Sequence, residues 1–139
     1  MAAPISATGV FAVLVPGGHA LIWLDLYRTG TEAGFLPPAP FTLIEQDENG
    51  PLPERAYTRE ELLAYLRECR NTYQATIENM TDEQAMRRCR FGWGEVSIAE
   101  LLLYHMRHVQ EIAAQLSLLL GQNGVSVPDS VPTARTGDR

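Results

Sequence analysis

The chain has three histidines, His19, His105 and His108, and each falls on an apolar stripe where a helix is expected. Neutral imidazole is a ligand for zinc, nickel, iron and copper, and it titrates near neutral pH. His105 and His108 are three residues apart, so on a helix they share a face and can reach one ion together. His19, carried by another helix, can supply a third nitrogen. Three protein ligands and an open position make the arrangement of a catalytic metal. The same positions suit core histidines hydrogen-bonded to a carbonyl or carboxylate, and spacing alone leaves both readings open. No H-E-x-x-H motif is present. Asp25, Glu68 and Glu100 are the acids near these faces, and each reads first as a surface or capping residue. Tyr27 and Tyr104 could donate hydrogen bonds into a pocket there. Cys69 falls on a helix stripe as a small core residue. Cys89 flanks a loop and is expected at the surface. With no C-x-x-C spacing, the two cysteines read as reduced thiols.

The elements that must position these side chains are helices. Val10 to Val15 reads equally as a short strand or a helical turn, and Pro16-Gly17-Gly18 is expected to break the pattern. From His19 a helix follows, with His19, Ile22, Trp23 and Leu26 on one face and Gly30 as its stop. Residues 30–57 form a long loop holding five of the nine prolines. Its Phe35, Leu36, Phe41, Leu43 and Ile44 are expected to pack down on the domain. Phe35, Phe41, Trp23 and Trp93 could together line a small-ligand pocket beneath it.

Thr58-Arg59-Glu60-Glu61 is a capping box that opens a helix running to about Asn79. Thr81-Asp82-Glu83-Gln84 opens a short helix ending near Cys89, followed by a turn over Arg90 to Gly94. Ser97-Ile98-Ala99-Glu100 starts the longest helix, which runs to about Leu120 and is stopped by Gly121. Its stripe is Ile98, Leu101, Leu102, His105, His108, Val109, Ile112, Leu116 and Leu119.

These patterns predict an all-α chain, four-helix-bundle-like, with the N-terminal helix shortened or absent and a long Pro-rich loop. Residues 1–121 are read as a single helical domain and 122–139 as a disordered tail. The formal net charge of −6 argues against general nucleic-acid binding. Arg87, Arg88 and Arg90 form the densest basic patch and read as a solvated helix end rather than an anion site. No stretch reaches the ~20 apolar residues that span a bilayer, and Gly9 to Val15 lacks the basic flank of a signal peptide. A cytoplasmic protein with no membrane or nucleic-acid partner is expected.

Two segments, His19-Ala20-Leu21-Ile22-Trp23-Leu24-Asp25-Leu26-Tyr27 and Arg107-His108-Val109-Gln110-Glu111-Ile112, resemble the DinB/YfiT-like superfamily. Phe41-Thr42-Leu43 and Phe91-Gly92-Trp93-Gly94 fit between them, and the resemblance covers roughly residues 19–121. It implies an up-down-down-up four-helix bundle and a divalent metal (Zn, Ni or Fe) held by three histidines. One comes from the helix carrying His19 and two from an H-x-x-x-H on the last long helix. It also implies thiol-dependent transferase or isomerase chemistry with a low-molecular-weight thiol, and a homodimer. Carried over by position, His19 and His108 match the first two ligands, and Ile112 occupies the third. His105 is the substitute at hand, seven residues and ~10.5 Å along the axis from 112. The expectation is a divalent-metal-binding or thiol-dependent transferase-type protein with an incomplete triad (His19, His108 and the substitute His105). Any catalysis would be of metal-dependent transferase or hydrolase type. The rival expectation is a non-catalytic dimerising or small-ligand-binding bundle that has lost the metal.

Overall fold

The computed structural model of the chain describes residues 7–46, 49, 51 and 55–129. Among the described residues there are four α-helices, a two-stranded hairpin and one 3-10 turn: α1 (Ala7–Thr29), α2 (Arg59–Glu78), α3 (Asp82–Met86), β1 (Arg88–Phe91), β2 (Gly94–Ser97) and α4 (Ile98–Gln122), with the 3-10 turn between α1 and α2. The chain is therefore mostly helical.

The expected break at Pro16-Gly17-Gly18 does not occur. Residues 7–18 are neither a strand nor a separate turn; they extend the His19 helix into one of 23 residues with Pro16 inside it. An interior proline removes a helix hydrogen bond and crowds the preceding turn, at about 3 kcal/mol. Burial on the C-terminal side offsets that cost. Gly18, Ala20, Leu21 and Ile22 are buried. A Cβ on Gly17 would lie 3.7 Å from Leu62 of α2, ordinary contact, so the small residues let the two helices lie close.

Gly30 ends α1 as expected. Its φ of 72° is the left-handed conformation glycine adopts freely. Space demands glycine as well: a Cβ there would meet Ile98 Cδ1 at 2.6 Å.

All three capping boxes form. Thr58, Thr81 and Ser97 accept from the third helical amide, and Glu61, Gln84 and Glu100 reach back to the cap. The stop of α4, however, is Gly124 rather than Gly121. Gly124 takes φ 70°, its N–H donates to the Gly121 carbonyl, and Val125 donates to Leu120. This is a Schellman closure, and the nearer glycine stays helical because nothing at its own position reverses the chain.

The all-α expectation is corrected by the hairpin. Residues 88–91 alternate exposed, buried, exposed, buried, which is a strand period. β1 pairs with β2 in antiparallel register from Arg88↔Ser97 to Phe91↔Gly94, around a two-residue Gly92-Trp93 loop. Cys89 is consequently buried in a strand rather than exposed beside a loop, and its helix ends earlier, at Met86.

α1 is the central helix. Both α2 and α4 pack on it, with little contact between the two. One apolar cluster joins α1 to α2 through Leu21, Ile22, Phe41, Tyr57, Tyr65 and Cys69. The other joins α1 to the hairpin and α4 through Leu26, Tyr27, Cys89, Phe91, Ile98 and Leu101. Of the loop residues expected to pack down, Phe41 is buried and Phe35 touches both clusters, whereas Leu36, Leu43 and Ile44 are exposed. The last two sit in a 3-10 turn over Leu43–Gln46. After Asn123 no further helix follows in the described part of the tail, and residues 130–139 lie outside the described residues.

Candidate functional site

Side chains four residues apart line one ridge of a helix, and α1 carries His19, Trp23 and Tyr27 on such a ridge. This ridge faces the α4 stripe at the level of His105 and His108. His19 and His108 bring their ring centres to 5.8 Å, and His105 and His108 to 5.6 Å. The three sequence-predicted histidines are thus neighbours, with His108 between the other two.

An aromatic wall closes one end. Trp23 lies 6.1 Å from His19 and 5.0 Å from Tyr27, and the Tyr27 ring stands edge-on to His105 at 5.3 Å. Trp93 from the hairpin loop stacks on Tyr104 at 5.0 Å and donates its indole N–H to the Tyr27 hydroxyl at 3.2 Å. The Tyr27 hydroxyl thus accepts from Trp93 and keeps its own O–H as a donor. The expected grouping of Phe35, Phe41, Trp23 and Trp93 is not formed. Phe41 stacks with Tyr57 and Tyr65 on the α2 side, and Trp93 belongs to the α4 side.

His105 is fully buried, and both its ring nitrogens are without a hydrogen-bond partner. That is unusual, because native structures satisfy most buried polar atoms. Burial pushes its pKa down to about 3, helped by the neighbouring His108 and His19. His108 is lowered as well, by burial first and then by His19. Both rings are held neutral, which is the form that ligates. Ile112, one turn beyond His108, lines an apolar cavity of about 300 Å³ with Leu21 and Leu24 of α1, Leu62 and Leu66 of α2, and Val109.

In kind, the donors fit a divalent ion of the zinc or nickel type. In spacing the two pairs, at 5.6 and 5.8 Å, stand wider than a shared ion needs. Two imidazoles sharing an ion at ~2.0–2.1 Å have ring centres about 5 Å apart. In arrangement they stop short of a full set: among the described residues no group of three or more His, Cys, Asp or Glu is placed to hold a metal.

The acids expected near these faces are engaged elsewhere. Asp25 accepts from Tyr65 at 2.9 Å and from Arg28 at 3.1 Å. Glu100 caps α4 and meets Arg88, and Glu68 is exposed.

The sequence model of the DinB superfamily matches residues 13–116. The chain belongs to the DinB superfamily. No curated protein and no solved structure matches it. The match runs from within α1, before His19, to within α4, beyond Ile112, so every histidine of the cluster lies inside the family region. The members of the aromatic wall were named from the sequence under two separate readings, Tyr27 with Tyr104 and Trp23 with Trp93, and it is their union into one wall that sequence reasoning did not reach. Its signal was present in the i, i+4, i+8 run of His19, Trp23 and Tyr27. The contribution of Trp93 depends on the hairpin and could not be placed without it.

Proposed function

We propose that this DinB-superfamily chain binds a divalent metal (Zn, Ni or Fe) at an incomplete site centred on His108, with His19 and His105 as its companions. The single observation that supports it is His105: a fully buried imidazole, touching His108, with both nitrogens unpartnered. The four-helix-bundle-like arrangement, a single domain over 1–121 and a cytoplasmic location belong to the same reading. So do a homodimer and a low-molecular-weight thiol or other small molecule as reaction partner. A bound ion would supply Lewis acidity to a thiol or water in a transferase- or hydrolase-type reaction. The chain's own part is to keep the His105 and His108 imidazoles neutral and to exclude water with Trp23, Tyr27 and Tyr104.

Untagged protein loaded with zinc or nickel and analysed for metal tests this. The expected result is near-stoichiometric uptake with weak affinity, lost in His108→Ala. Ile112→His, which restores the family's third position, should tighten binding by about tenfold or more. Less than about a tenth of an equivalent in the parent protein, against the near-unit occupancy of a closed site, would sink the metal reading.

A second reading, a non-catalytic dimerising or small-ligand-binding bundle, is favoured by the cavity around Ile112. The family's third ligand position has become part of an almost wholly apolar surface. Under that reading the parent takes up no metal, and only Ile112→His does.

A further inference from the structure

We propose that a second site, a polar cavity between the C-terminal ends of α1 and α2 and the start of α4, binds a small molecule through an oxyanion group, a phosphate or a carboxylate. The cavity holds about 420 Å³ and is walled by Arg28, Arg87, Thr76, Asn79 and Gln84, with two apolar side chains. It lies away from the imidazole cluster: Ile98 on its wall and His105 are seven residues apart on α4, or ~10.5 Å.

The charge of the lining is the first argument. The chain carries a net charge of −6, yet this cavity has two guanidinium groups and no carboxylate in its wall. Asp25 pairs with Arg28 through Nη2 at 3.1 Å, and among the described residues no other side chain bonds that guanidinium.

The second argument is unsatisfied donors. Arg28 Nε is buried without a partner, and so is the Tyr73 hydroxyl, which lies within electrostatic reach of Arg28. A buried guanidinium N–H without an acceptor is costly, and an oxyanion supplies one.

The third is the behaviour of the three clustered arginines. Arg88 is held by Glu95 and Glu100, and Arg90 by Glu95, on the outer face of the hairpin. Arg87 turns the other way and makes no hydrogen bond or ion pair with any described side chain. Its Nη2 lies 3.2 Å from where a Cβ on Gly30 would be, so it is held over the end of α1. The carbonyl end of α1 favours a cation there, which accounts for Arg87 but not for the orphaned nitrogen of Arg28.

The polar walls sort by role. Gln84 gives its oxygen to the Thr81 amide and keeps its NH2 free to donate. Asn79 donates one N–H to the Ala75 carbonyl and has a second left. Thr76 donates its proton to the Thr72 carbonyl and can only accept, so it suits a ligand hydroxyl rather than the anion itself.

Calorimetric titration of the whole chain with inorganic phosphate, and separately with succinate, at an ionic strength held constant with chloride, tests the site. Saturable binding of either anion is expected, and the stronger of the two says whether the natural ligand presents phosphate or carboxylate. Arg87→Gln should weaken it about tenfold, whereas Arg88→Gln should leave it unchanged. If Arg87→Gln fails to fold, Arg87→Lys takes its place; it keeps the charge, loses the planar fork and should bind several-fold more weakly. Failure of both anions to saturate, or equal binding by the folded Arg87 variant, would overturn the proposal.

Discussion

At the scale of single residues, His105 decides most. A stripe histidine was legible in the sequence, because Leu101, His105, His108 and Ile112 follow helical spacing. Its lack of partners was not, because that depends on what α1 and the hairpin present to it. The surroundings turn out to include two rings, Tyr27 and His108, neither of which bonds a nitrogen of His105. Such a residue costs stability, since desolvating an unsatisfied polar group costs about 1–3 kcal/mol. His105→Leu is therefore expected to leave the melting temperature unchanged or raise it by a few degrees. A shape mismatch of up to about 1.5 kcal/mol works against the gain. In the same variant metal uptake should disappear. A thermal scan showing a drop of many degrees would mean that the imidazole is bonded in the folded protein, and the ligand reading would lose its support.

At the scale of elements, local signals were reliable where the cause is local. The three capping boxes needed only residues three apart, and all three form. The first of them predicts an acid dependence. The Arg55 guanidinium and the Thr58 amide hold the Glu61 carboxyl down at about 2, against an ordinary 4.5. A depressed carboxyl contributes stability above its unfolded value and loses it as pH falls through the folded one. The melting temperature should fall between pH 4.5 and about 2, and Glu61→Gln should flatten that descent. Circular dichroism melts across this range suffice, and identical slopes in the two proteins would contradict the assignment.

Local signals misled at Pro16-Gly17-Gly18, where packing on α2 outweighs propensity. They also misled at residues 88–97, where a helix end and a loop were expected in place of two strands. The strand period over four residues is too short to stand out, and the hairpin shows only when both partners are paired. If packing carries α1 through its proline, then Pro16→Ala should stabilise the chain by about 1–3 kcal/mol. Denaturant unfolding measures it, and a loss of stability would mean that the proline is needed where it stands.

At the scale of the whole molecule, α1 is flanked on two sides and open on a third. The groove between α2 and α4 is floored by Gly17, Ala20, Leu21 and Leu24 and rimmed by Leu66 and Ile112. The helical stripes were readable one by one, but which of them share a groove depends on the tertiary arrangement. Leu66 on this rim is exposed, and the groove wall around it is almost wholly apolar. Contiguous apolar surface of this kind marks an interaction site, and the proposed homodimer would cover it with a second copy of the same groove. A twofold interface places each residue opposite its own symmetry partner's patch, so one charge introduced on the rim acts twice. Leu66→Glu is expected to shift the protein from dimer to monomer in sedimentation velocity while its helical circular dichroism is retained. Leu36→Glu, on the loop, is at a more exposed leucine away from the groove, and should leave the assembly unchanged. A parent protein that sediments as a monomer at every concentration would remove the second copy as the cover, and would leave the groove to a small apolar ligand.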